Sequence, residues 1–320
     1  MISTVVGNYP KVAEGAYSTK LIGALSKWQR KELNDAQLES AFQDVTRAVI
    51  QEQEQAGIDL LTDGQIRWED LLTPIARGLQ GFEINGLERW FNNNVYYRRP
   101  ILRSEPKWTQ PITVKNYQFA ASCTSKPIKA VLPGPYTFAR MSEDRFYRSE
   151  KKFARRMAEI LNAEAKALER AGASFIQFDE PSLAYGSPDL RVALESLAIA
   201  IQGLKAKTAV YTYFGALNGA FAPLMKTKID IIGVDVVSDP KALSALAKSK
   251  ITKELAIGCL DARNTKLESV KDLHRIFRTI EKSVPTDRWL VNPNCGLEFL
   301  PHGKALAKIQ RLGEAVRSYR

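Results

Sequence analysis

Histidine is almost missing from this chain, which has 2 in 320 residues, so the side chain most used for metal binding and proton transfer near neutral pH is scarce. His274 and His302 both fall in helical or loop sequence and are expected to be neither ligands nor bases. Cysteine is also sparse: Cys123, Cys259 and Cys295 are odd in number, far apart and without CxxC spacing, which excludes a disulfide framework and a zinc ribbon. No apolar run approaches the ~18 residues of a membrane span, and the first residues lead into a strand pattern without a basic region or cleavage site. A cytoplasmic protein is the expectation. Internal repeats and low-complexity tracts are missing too, which argues against a solenoid or a linker-rich chain.

What is present is a globular composition, 45% hydrophobic and 25% charged, in a length that one α/β barrel can fill. The net charge is +11, concentrated at Arg98, Arg99, Arg103 and in the run Arg145, Arg148, Lys151, Lys152, Arg155, Arg156. Such a surface can attract a polyanion, or it can be a solvated helix face; no nucleic-acid motif accompanies it.

Short β-rich apolar runs alternate with amphipathic helical stretches from end to end. The eight strand candidates are 2–7, 58–63, 128–132, 175–179, 209–213, 229–237, 255–260 and 289–292, and eight such units predict a single (β/α)8 barrel, a TIM barrel, over residues 1–320. Asn34 or Asp35 can cap a helix with Leu38, Phe42, Val45, Val49 and Ile50 on one face, closed by Gly57. A second helix spans about 149–171 and stops at Gly172. The rhythm breaks between strands two and three, where residues from about 73 to 126 carry Trp90, Tyr96, Tyr97, Trp108, Tyr117 and Phe119. Alternation at 112–114 and 117–119 predicts a hairpin-bearing insertion there, on the barrel face where chemistry occurs.

A barrel collects its active groups at the carboxyl ends of its strands. Those ends read Gly7-Asn8-Tyr9-Pro10, Asp63-Gly64-Gln65-Ile66-Arg67, Gly134-Pro135-Tyr136, Gln177-Phe178-Asp179-Glu180-Pro181, Tyr211-Thr212-Tyr213-Phe214-Gly215, Asp235, Asp261-Ala262-Arg263-Asn264 and Asn292-Pro293-Asn294-Cys295-Gly296-Leu297. In that order, and with Thr62-Asp63-Gly64 and Leu132-Pro133-Gly134-Pro135-Tyr136-Thr137, they resemble the cobalamin-independent methionine synthase family over nearly the whole chain.

The resemblance implies methyl transfer from a methyl-tetrahydrofolate or related methyl-pterin to homocysteine, with zinc activating the thiol. It also exposes departures. Histidine and cysteine, two apart after strand five, would be zinc ligands in the catalytic barrel of that family, and here Tyr211 and Tyr213 stand in their places. Asp235 replaces a glutamate ligand, and Cys295 alone keeps its expected identity. One thiolate, one short carboxylate and two phenols fall short of a tetrahedral zinc site, so zinc is not expected on this chain. Gln65 stands where a glutamate would hold the amino group of homocysteine, Arg263 where a histidine would relay a proton, and Met141 where a tryptophan would meet the pterin.

These features resemble the zinc-free N-terminal barrel of the family's two-barrel enzymes. They imply a component that binds the methyl-pterin and docks a zinc-bearing barrel, its mouth lined by Asn8, Gln65, Arg67, Asp179, Glu180, Arg263 and Asn264. Asp179 and Glu180 can recognise a substrate amine or a pterin edge, or they can be strand-end carboxylates tied to neighbours. Two other readings stay open: an autonomous methyltransferase using Cys295 and Asp235, and a binding or regulatory barrel using its basic surface.

Overall fold

The computed structural model of the chain describes residues 1–11, 18–217, 219–239, 241–249 and 251–319. Ten strands are described: β1 (Ile2–Ser3), β2 (Gln80–Arg89), β3 (Tyr96–Lys107), β4 (Ala130–Pro133), β5 (Glu143–Asp144), β6 (Phe175–Asp179), β7 (Lys207–Tyr211), β8 (Ile231–Asp235), β9 (Glu254–Leu260) and β10 (Trp289–Pro293). Seven of them form one parallel sheet in the order β1-β10-β9-β8-β7-β6-β4. Strands β4, β6, β8 and β10 are buried along their whole length, as expected where helices cover one face of a parallel sheet and side chains fill the other.

The sheet curls until its two edges meet the same segment. Thr4, just past β1, bridges Leu60 in parallel, and Leu61 bridges Ile128, just before β4. The chain at 58–63, read as a full strand from sequence, contributes only those two bridges. Gln53 makes up part of the deficit: fully buried, it gives its amide N–H to the Thr62 carbonyl (3.0 Å) and takes the Thr62 N–H (3.0 Å), a side chain standing in for a neighbouring strand.

Helix Asp35–Gln55 begins as its sequence dictates, with Asn34 and Gln37 forming a reciprocal capping box. Helix Glu150–Arg170 is capped by Ser149, and its buried face carries Phe153, Met157, Leu161 and Leu168. From that face Glu164, 1% exposed, accepts hydrogen bonds from Trp108 Nε1, Thr113 Oγ1 and the backbone N–H groups of Ile112 and Thr113, which pins the 108–113 loop.

Strands β2 and β3 pair antiparallel, so a hairpin does lie between 73 and 126, but at 80–107. The alternation at 112–119 does not mark it: Val114–Ser122 is α-helix with Tyr117 and Ala120 turned inward, three apart. Gly81 lies at φ 96 beside the Ser104 carbonyl, where a Cβ would come within 2.8 Å, and the pairing shifts register there. Phe82 packs against Phe138 and Phe153 (ring centroids 5.6 and 6.1 Å) and seats the hairpin on the helical layer. No helix among the described residues is long and apolar enough to cross a membrane.

Candidate functional site

At the carboxyl ends of the strands a cavity of about 460 Å³ opens beneath the hairpin. Asn8, Lys11 and Tyr213 line it from the sheet side, Trp90, Tyr96 and Tyr97 from the hairpin, and Glu298 and His302 from the segment after β10. A pocket of this size with apolar walls and a few converging polar groups is the usual form of a small-molecule site.

Asp179 ends β6 behind Tyr213 and is 2% exposed. Its Oδ1 accepts from Gln177 Nε2 (2.6 Å) and its Oδ2 from the Tyr213 hydroxyl (3.0 Å). Burial raises its carboxyl above the ordinary range, against those two hydrogen bonds and the ammonium of Lys129. Lys129 is the residue the sequence reading missed. Its Nζ is buried without a hydrogen-bond partner, 4.6 Å from the centroid of the Tyr211 ring, and burial lowers its ionisation point. The available signal was a lone charge inside the apolar run 128–132.

Glu180, fully buried, points away from the cavity. Its two oxygens accept the backbone N–H groups of Tyr136 (2.9 Å) and Thr137 (2.7 Å) at the start of helix Pro135–Arg140, where a negative charge is favoured. Burial nevertheless pushes its carboxyl up to about 7. Gly134 makes room for it, since a Cβ there would lie 2.0 Å from the carboxyl carbon. Asp235 is likewise consumed: Oδ1 takes the Val237 and Ser238 N–H groups, and Oδ2 takes Phe214 N–H and Asn294 Nδ2.

The remaining expectations divide. Asn8 lines the cavity. Gln65, 1% exposed with φ 48, sits against Gly7 with neither amide atom hydrogen-bonded. Arg67 turns outward to Glu39 (2.5 Å) and Thr46 (3.2 Å) and stacks near Phe42 and Phe119, so it does not line the mouth. Arg263 reaches over Phe214 to the hairpin tip, donating to Asn92 (3.1 Å) and Asn93 (3.0 Å), and acts as a clasp. Asn264 is an exposed turn residue whose side chain takes the Lys266 N–H. His302 does line the cavity, yet its Nε2 is bound to Glu52 (2.8 Å), which also accepts the Tyr9 hydroxyl (2.9 Å).

Residues 1–318 match the family described as "Cobalamin-independent synthase, Catalytic domain". The chain belongs to that family. It is 30% identical over 320 residues to a methionine synthase of Saccharolobus solfataricus, covering 99% of this chain and 94% of the relative. To one from Sulfolobus acidocaldarius it is 29% identical, over 96% and 88%. Among solved structures, a B12-independent methionine synthase from Shewanella sp. W3-18-1, in complex with selenomethionine, superposes with a TM-score of 0.84 at 26% identity, over 98% of this chain and 97% of that one. A putative vitamin-B12-independent methionine synthase from Listeria monocytogenes shares the fold at TM-score 0.76 and 15% identity, over 99% and 97%.

The resemblance puts Tyr211, Tyr213, Asp235 and Cys295 where that family would hold zinc, and the chemistry of these four does not suit the metal. Tyr213 gives its hydroxyl to Asp179, and Tyr211 has a buried phenol with no partner, its acidity suppressed first by burial. Asp235 has no oxygen to spare, which leaves the fully buried Cys295 thiol as the one soft donor among the four. No group of three or more His, Cys, Asp or Glu among the described residues could hold a metal ion.

Proposed function

We propose that this chain is the methyl-pterin-binding component of a cobalamin-independent methionine synthase. It would carry a methyl-tetrahydrofolate or related methyl-pterin in the cavity under the hairpin and dock a second barrel whose zinc activates homocysteine. In this reading the curled sheet is a (β/α)8 barrel with 60–61 as its reduced second strand, and the hairpin is an insertion in the loop after it. The observation that carries the proposal is the end of β7, where the resemblance would put a histidine and a cysteine: the side chains there are Tyr211 and Tyr213, and Tyr213 is committed to Asp179. A methyl-pterin donor also suits the cavity, which sets aromatic side chains around a few polar groups.

One observation favours the autonomous enzyme instead. The relatives from Saccharolobus and Sulfolobus are called methionine synthases at nearly this length, and the matched family is described as a catalytic domain. Homocysteine methylation by the purified chain, with and without a zinc-bearing barrel from the same cell, separates the two. The component reading expects no turnover by the chain alone and turnover by the pair. Full turnover alone, with one zinc per chain lost on Cys295→Ser, would establish the autonomous enzyme.

A further inference from the structure

Three carboxylates line the cavity, and two of them are spent. Asp70 accepts from Leu72 N–H, Thr73 N–H, Thr73 Oγ1 and Arg98 N–H, and Glu69 pairs with Arg77 at 2.8 Å. Of the three hydroxyls on the walls two are spent as well, Tyr97 on the Met141 carbonyl (2.6 Å) and Tyr213 on Asp179 (3.0 Å), while Tyr96 is exposed. Among the three carboxylates Glu298 is the exception. Its Oε2 is buried and accepts no hydrogen bond, and it fills the space over Gly296, where a Cβ would lie 2.0 Å from that oxygen. A buried carboxylate oxygen without a donor is costly, so the arrangement calls for a donor brought in from outside.

We propose that Glu298 is the residue that reads the ligand, accepting the N–H edge of a planar heterocycle whose faces meet the aromatic hairpin wall. This rests on the methyl-pterin reading of the same cavity. It transfers to Glu298 the recognition that the sequence suggests for Asp179, which lies behind Tyr213 with both oxygens occupied. The neighbouring walls agree: Trp90, edge-on to Tyr97 (ring centroids 5.0 Å), and Leu300 and Pro301 also line the cavity, aromatic and aliphatic surface that suits a flat ring. Burial pushes the Glu298 carboxyl up to about 7, and the Lys11 ammonium works against that shift, toward the ionised form that accepts two parallel N–H bonds.

The test is calorimetric titration of 5-methyltetrahydrofolate, and separately of methionine, into the full chain and its Glu298→Gln, Glu298→Asp and Asp179→Asn variants, each checked for an unchanged melting profile. The expected result is a tenfold or greater loss of methyl-pterin affinity in Glu298→Gln, a smaller loss in Glu298→Asp, and the smallest in Asp179→Asn. Binding by the unaltered chain that survives Glu298→Gln overturns the assignment and leaves the methyl-pterin reading intact. No methyl-pterin binding by the unaltered chain overturns both. Loss confined to methionine would assign Glu298 to an amino-acid ammonium and overturn the proposal.

Discussion

A lysine ammonium held inside a sheet with no hydrogen-bond partner is stable only if something nearby compensates its charge, and the group nearest in chemistry is Asp179. Each of the two is driven toward its neutral form by burial and back toward its charged form by the other. Removing one strands the other, so their effects on stability are not additive. The double variant Lys129→Met/Asp179→Asn is expected to be more stable than the sum of the single variants by ~0.5–3 kcal/mol, measured by urea unfolding. Additivity within ~0.5 kcal/mol would show two independent side chains. Glu180 gives a pH prediction. Its folded value, raised to about 7 by burial, exceeds the ~4.3 of an unfolded glutamate, so the fold favours its protonated form. That stabilisation is complete below the unfolded value and disappears as pH rises through the folded one. Glu180→Gln should flatten the decline in stability over this window, and unfolding midpoints taken across it check the point; an unchanged slope would mean that Glu180 ionises without cost. The identity of these strand-end residues is legible in the sequence because a barrel-like pattern places them there. Their direction is not: Arg67, Glu180 and Asn264 each find a partner closer than the cavity, and those partners are distant in sequence or belong to the backbone.

The hairpin of β2 and β3 shows what periodicity can and cannot reveal. Helix Asp35–Gln55 is legible because its cap, its apolar spacing and Gly57 agree. The hairpin is harder, since β2 is largely exposed and β3 contains Pro100 and Pro106, which break the strand signature, while the clean alternation at 112–119 belongs to a helix whose loop is fixed by Glu164. Its tip is held over the cavity by Arg263, through uncharged acceptors worth ~1.5–3 kcal/mol each at most because the donor is charged, and less where exposed. Arg263→Ala should therefore raise hydrogen-exchange rates of the amides at 90–95 while leaving the global melting temperature nearly unchanged. A global loss without local loosening would contradict the clasp. Glu164→Ala, by contrast, orphans four buried or half-buried donors and is expected to cost ~3 kcal/mol or more, read from the same unfolding curves.

At the scale of the whole molecule the charge of +11 is less available than the sequence suggests. Arg99 pairs with Glu88, Arg103 with Glu83, Arg145 with Glu143, Lys151 with Glu195, and Arg156 with Glu105 and Glu159. Exposed pairs of this kind contribute ~0–1 kcal/mol each and weaken in salt, so they neutralise a surface more than they stabilise it. The expectation is that the chain binds duplex DNA no more tightly than a mixed-charge protein of its size, with little salt dependence. A steep fall of affinity with salt would restore the polyanion surface.

Both edges of the curled sheet meet the same short segment, 60–61, which fastens them as a clip would. Around the rest of the sheet, ladders of backbone hydrogen bonds share any load, while at the join the two bridges are supplemented by side chains, Ser3 to Asp59, Thr4 Oγ1 to the Leu60 carbonyl and Thr62 Oγ1 to the Gly7 carbonyl, with Gln53 bracing Thr62 from behind. The segment that follows, Asp63-Gly64-Gln65, runs toward the mouth, so whatever tension opens the clip is felt first where the ligand cavity is built. Part of the bracing beside the cavity thus comes from the outer layer of helices, through a glutamine that does not line it.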